Sequence, residues 1–190
     1  MVEANKRIIF KHFLDLMRLI YAVFILLLAL MTSAQCQWSP YPPEAAYRYN
    51  EGVNLYNQGK YDEAYKVLDE AIKLYPGLTD DAEVQKTIVL IWSHKGDVLT
   101  DQGNYADAIV AYDKAIWREP NLATAWAGKG RALVGQGKFN ESIKAYDMVI
   151  KFNPNDVIAW YNKGVALEAL GKTTEANAAF AKAKELGYSG

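Results

Sequence analysis

Apolar residues recur along the chain at intervals of three and four, the spacing that keeps side chains on one face of a helix, and the pattern itself returns at a fixed distance. Trp92, Trp126 and Trp160 are 34 residues apart; so are Lys95, Lys129 and Lys163, Gly96, Gly130 and Gly164, Leu99, Leu133 and Leu167, and Gly103, Gly137 and Gly171. Five positions sharing one period over three copies define an internal repeat. An earlier copy runs through Gly52, Leu55, Gly59, Tyr61, Ala64 and Ala71, offset by 44. Within a copy, Trp126, Gly130 and Leu133 share one face of a first helix, and Gly137 suits the left-handed turn that ends it. A second helix follows, with the stripe Tyr105, Ala108, Ile109, Tyr112, Ala115 and Ile116 in the second copy. Pro76, Pro120 and Pro154 stop the second helices at equivalent places.

The recurring residue types point to packing. A tryptophan can bury about 150 to 250 Å², at most about 4 to 6 kcal/mol. A glycine inside a helix costs about 1 kcal/mol relative to alanine. Its recurrence at 96, 130 and 164 predicts close approach of the partner helix to the backbone, with Ala108, Ala115, Ala176 and Ala183 as the small residues opposite. The ten extra residues, Thr79 to Ile88, carry Asp80, Asp81 and Glu83 where a helix N-terminus favours acids, and Val84, Ile88 and Ile91 extend an apolar stripe. They predict one long helix from about Asp80 to Asp101, either packed over the first hairpin or projecting to meet a partner or membrane.

Ahead of the repeats, Leu19 to Met31 is an unbroken apolar run of 13 residues with Lys6, Arg7, Lys11 and Arg18 before it and Thr32-Ser33-Ala34 after it. This is the layout of an export signal over residues 1–34, cleaved after Ala34 or kept as an N-terminal hydrophobic helix that anchors the chain through residues 8–34. Both alternatives leave the positive flank in the cytoplasm and place the body outside it, secreted or membrane-anchored. Residues 35–44, with Pro40, Pro42 and Pro43, read as a stiff spacer. Cys36 follows Gln35, too large for a lipidation signal, and is a leftover thiol.

The 34-residue period, with Trp-x-x-Lys-Gly, a later leucine, Gly-x-Tyr or Gly-x-Phe, then Ala, Tyr and Pro, resembles the tetratricopeptide repeat. The resemblance covers residues 45–190 as copies at 45–78, 89–122, 123–156 and 157–190, with the extension at 79–88. It implies an all-α fold, an α-solenoid of four helical hairpins wound as a right-handed superhelix. Departures occur at Arg48 in place of the tryptophan, Ser142 and Val149 in place of alanines, Thr173 in place of the aromatic and Tyr188 in place of the proline. Stacked hairpins curve, and their first helices line a groove suited to an extended peptide. Tyr49, Tyr56, Asn57, Ser93, Asp97, Asp101, Arg131, Tyr161 and Glu168 are its expected lining. The positions with which a well-known member clamps a chaperone's C-terminal carboxylate hold Tyr49, Val53, His94, Thr124 and Gly128, which does not support that role.

Charge and chemistry narrow the picture further. After residue 34 the chain carries 17 Lys and Arg against 20 Asp and Glu, so it lacks the basic stripe of a nucleic-acid binder. One cysteine and two histidines cannot build a structural zinc site or an internal disulfide. Gly130 to Lys138 does not meet the phosphate-loop pattern, and Ser93 and His94 are adjacent on a helix, about 100° apart, with no third partner. No catalytic set, cofactor, metal or small-molecule substrate is expected. Asn140-Glu141-Ser142 is a potential N-glycosylation acceptor at a turn. The expected function is protein binding by an exported or tethered adaptor, with a structural subunit of a cell-envelope assembly or homo-oligomer as the alternative.

Overall fold

The computed structural model describes residues 43–75 and 81–189. The signal or anchor, most of the spacer and Pro76 lie outside the described residues. Among the described residues eight helices follow one another: α1 (Pro43–Asn57), α2 (Tyr61–Leu74), α3 (Ala82–Asp101), α4 (Tyr105–Arg118), α5 (Ala123–Gly135), α6 (Phe139–Phe152), α7 (Val157–Ala169) and α8 (Thr173–Glu185). They pair as four antiparallel hairpins, each packed on the next, which is the predicted α-solenoid. Among the described residues the first helices α1, α3, α5 and α7 touch one another in sequence, whereas the second helices do not. The first helices are therefore crowded on the inner side of the bend, and their free faces form the groove.

Each hairpin turns at a left-handed glycine, such as Gly103 at φ 79° or Gly137 at φ 72°. The residue after the glycine donates back to the recurrent leucine: Asn104 N to Leu99 O and Lys138 N to Leu133 O, both 2.8 Å. This closes the first helix as a Schellman turn and accounts for the glycine.

The long helix α3 spans 20 residues, starting two later than predicted. Asp81 caps it, its Oδ1 accepting from Glu83 N at 3.0 Å and Val84 N at 3.2 Å. Its extra turns do not project. Val84, Ile88 and Ile91 are buried in one cluster with Ala45, Leu68, Ala71 and Tyr75 of the first hairpin.

The helical glycines serve a different purpose from the expected backbone approach. A Cβ on Gly96 would stand 2.6 Å from the Tyr112 ring; on Gly130, 2.8 Å from Tyr146; on Gly164, 2.5 Å from Phe180; and on Gly52, 2.7 Å from Leu68. A large side chain of the second helix seats on each glycine, a ring at Gly96, Gly130 and Gly164 and a leucine at Gly52, so the gap is filled by a side chain rather than by backbone. Tyr112 also lies against Gly128 of the following hairpin, filling space at two glycines at once.

Consecutive hairpins are joined on the outer side by a repeated ion pair. Lys95, Lys129 and Lys163 reach Asp69, Asp113 and Asp147 of the preceding second helix at 2.6 Å each. Each ammonium also lies 5.0 to 5.5 Å from the ring of Trp92, Trp126 or Trp160. The tryptophans are half-buried rather than buried, and two of them donate their indole N–H to a proline carbonyl, Trp126 to Pro120 and Trp160 to Pro154, at 2.9 Å. Lys95 is 3% exposed, and Asp69 is its counter-ion.

Both ends of the stack lack this device. Where the tryptophan and lysine would stand in α1, Arg48 and Glu51 pair with each other at 3.3 Å, and Arg48 also meets Glu44 and Glu70. Where the aspartate would stand in α8 there is Ala181, and Tyr188 replaces the proline and stacks on Tyr161 with centroids 4.2 Å apart.

If seated rings are the reason for the glycines, Gly164→Ala costs about 1–3 kcal/mol by overpacking. In a Phe180→Ala background the same change gains up to about 1 kcal/mol from helix propensity. Urea unfolding of the four chains of this cycle measures the reversal of sign.

Candidate functional site

Three first helices bring their groove-facing residues into one network. Asp97 and Asp101 are one turn apart on α3, and Arg131 on α5 occupies the register of Asp97 one repeat later, so it faces both carboxylates. Its guanidinium lies 3.5 Å from Asp97 and 3.6 Å from Asp101. From α1, the Tyr56 hydroxyl donates to Asp101 at 2.8 Å. From beneath, the Tyr112 hydroxyl donates to Asp97 at 2.8 Å and lies 3.3 Å from Thr100 Oγ1. The hydroxyl of Thr100 itself donates to the Gly96 carbonyl.

Burial shapes the charges. It holds the Asp97 carboxyl above the ordinary carboxylate range, against the opposing pull of the Tyr112 hydrogen bond and of Arg131. It also pushes the Tyr112 hydroxyl far up, with the Asp97 charge adding to the effect. Tyr56 is pushed up to about 12, by burial first and by its bond to Asp101 second. Both phenols therefore stay neutral donors at physiological pH.

Next to this network, Tyr49 packs edge-on against His94, ring centroids 5.6 Å apart. His94 Nδ1 lies 2.9 Å from Leu90 O and 3.4 Å from the Tyr49 hydroxyl, which assigns the proton to Nδ1. Ser93, expected in the groove, is only 7% exposed and is sealed between helices, too short to reach out. With Ser93 buried and His94 engaged, the two make no hydrolytic pair. Asn57 and Glu168 stand exposed near the ends of their helices. Tyr161 belongs to a separate aromatic group with Phe180 and Tyr188, beside Lys184 in a shallow hollow. Asn140 is exposed, in the first turn of α6 rather than in the turn before it.

The expected residues Tyr56, Asp97, Asp101 and Arg131 thus come together, Tyr49 adjoins them and Tyr161 lies apart. Sequence reasoning assigned Tyr112 to the core alone and missed Thr100. No linear signal pairs Tyr112 with Gly96; the packing of α4 on α3 is what brings its hydroxyl to Asp97.

Comparison with known proteins agrees with this architecture. Family models described as tetratricopeptide repeat match residues 45–78, 90–121 and 127–188. The photosystem I assembly protein Ycf3 of Synechococcus sp. (strain CC9605) is 33% identical over 78 residues. That match takes in 41% of this chain and 41% of the relative, so the chain spans well under half of that protein's length. The crystal structure of MamA superposes with a TM-score of 0.67 at 23% identity, covering 76% of this chain and 80% of MamA. YrrB, described as a TPR protein with an unusual peptide-binding site, gives a TM-score of 0.64 at 20% identity, covering 75% of this chain and 69% of YrrB. At these identities the two structures show the fold alone.

The charge of Asp97 opposes folding. A carboxyl raised in the folded state contributes its stability below its unfolded value, near pH 3.9, and loses it as pH rises through the folded value. Asp97→Asn keeps an acceptor for Tyr112 and removes the buried charge. It raises Tm at pH 7, and the difference closes by about pH 3 in scanning calorimetry; a lower Tm at pH 7 would show that the pair with Arg131 outweighs burial.

Proposed function

Because the chain is a tetratricopeptide-repeat protein, we propose that it is a non-catalytic adaptor that seats an extended segment of a partner protein in the groove of its first helices. The observation that carries this reading is the network of Tyr56, Asp101, Asp97 and Arg131, which spends polar and aromatic side chains from three helices on an open face. The outer Lys–Asp pairs close at 2.6 Å, whereas Arg131 stands 3.5 and 3.6 Å from its two acids. Two carboxylates sharing one loosely placed cation leave acceptor capacity for a basic or amide group of a partner. The same acids repel an acidic chaperone tail. A solved neighbour described as having a peptide-binding site adds support.

The adaptor is exported. Its apolar run Leu19 to Met31 acts as a cleaved signal or as an anchor, and the repeats work outside the cytoplasm. Among the described residues no helix is long and apolar enough to cross a membrane; the anchor, where it is kept, is the apolar segment within residues 8–34. A head-to-tail homo-oligomer draws no support from the ends of the stack. Arg48, Glu51 and Ala181 withhold both halves of the joint that holds internal repeats together.

Asp101→Lys and Arg131→Ala invert and remove the two exposed charges of the network. Affinity capture by the full chain from its native membrane drops for each variant by at least about tenfold, equivalent to about 1.4 kcal/mol. Circular dichroism melting remains close to that of the native chain. Undiminished capture by both variants removes the groove from the account.

A further inference from the structure

Antiparallel hairpins give the stack two edges. One carries the glycine turns and is polar, with Lys60, Asp62, Glu63, Gln102 and Asn104 around a shallow hollow. The other gathers the starts of the first helices and the ends of the second, as the 3.6 Å pair between Arg48 of α1 and Glu70 of α2 shows. Among the described residues six large apolar side chains stand exposed, and five of them are on this second edge: Tyr47, Leu74, Trp117, Phe152 and Ile158, with only Val110 elsewhere. Single exposed apolar residues are ordinary, but their collection on one edge is not. Trp117 is 69% exposed, and the repeat does not require it there: the same register holds Lys73, Lys151 and Glu185 in the other hairpins.

We infer that this edge is a lipid-contacting surface, with Trp117, Phe152, Ile158 and Tyr47 seated at the headgroup level of the bilayer that holds the N-terminal anchor. The inference rests on the anchored form of the proposed function. Its occupant follows from where the chain enters the repeats: Pro43, the first residue of α1, is on this same edge. Between Ala34 and Pro43 there are eight residues, a reach of at most about 26–29 Å. A chain tethered that closely keeps its entry edge near the membrane. Tryptophan and tyrosine favour the interface, where an apolar ring is buried and its polar atom stays wet. Lys73, Lys114, Arg118 and Lys151 punctuate the edge, as do Glu44, Glu70, Glu119 and Asp156. Adhesion therefore comes from apolar insertion rather than from a basic field, and it depends little on anionic lipid. This placement leaves the groove open to the side.

The test uses the full chain reconstituted in vesicles of phosphatidylethanolamine and phosphatidylglycerol. In a Cys36→Ser background, a nitroxide is attached at Lys151→Cys on the apolar edge or at Lys138→Cys on the turn edge. Relaxation by lipid-soluble oxygen and by a water-soluble nickel chelate is then compared. The label at 151 favours oxygen over the chelate several-fold more than the label at 138, and adding Trp117→Glu and Ile158→Glu abolishes the difference. A chain that resists carbonate extraction but shows both labels in water overturns the inference and leaves the anchor standing. A label at 151 shielded from both reagents means protein covers the edge, which also overturns it. Release of the chain by carbonate overturns the anchor and the inference together.

Discussion

A ring seated on a glycine holds this molecule together. Tyr112, Tyr146 and Phe180 each project from a second helix onto a backbone that offers no Cβ, so two helices close to a distance that an alanine would forbid. Each helical glycine gives up about 1 kcal/mol of propensity, and a buried aromatic ring returns more than that. Tyr112 extends the logic beyond its own hairpin. It fills the space beside Gly128 of the next one and ends in a hydroxyl bonded to Asp97. Packing and groove chemistry thus meet in a single side chain, and a change in the core at this point is felt at the candidate binding surface.

Much of the fold was legible because the period of 34 and the helical spacing are one-dimensional signals. The glycine after each recurrent leucine announced a left-handed turn, and the acids Asp80, Asp81 and Glu83 announced a helix N-terminus; both depend on neighbours in sequence. The partner of Gly96 was not legible in the same way. Spacing along one helix tells which residues share a face, but not which side chain of the other helix arrives there. The groove shows the same division. Asp97, Asp101 and Arg131 could be placed from register alone, since a shift of one repeat returns a residue to the same face. Ser93 shares that face but has a side chain too short to clear the neighbouring first helices, and only the spacing of helices decides that. The choice between a packed and a projecting α3 stayed open in the sequence for a related reason: its apolar stripe matches a surface on the first hairpin that no linear pattern describes.

Departures from the repeat carry the information that is particular to this chain. Arg48 and Glu51 replace the tryptophan and lysine of the inner joints, and Ala181 and Tyr188 replace the aspartate and proline. These four positions end the stack with charge at one side and a stacked ring at the other. Trp117 departs in the opposite sense, placing an aromatic in water where the repeat elsewhere has charge. Terminal repeats shed their docking residues for solubility, so an apolar residue retained on an edge has a separate cause.

The central claim is that the ring, rather than its hydroxyl, joins the helices, and Phe180 already does so in the last hairpin without a hydroxyl. Equilibrium unfolding of Tyr112→Phe and Tyr112→Ala in the full chain separates the two contributions. The account predicts a loss of about 1 kcal/mol for phenylalanine, the net worth of the hydrogen bond to Asp97, and about 3–5 kcal/mol for alanine. Equal losses in the two variants would contradict it, because the polar network and not the ring on glycine would then be holding the stack.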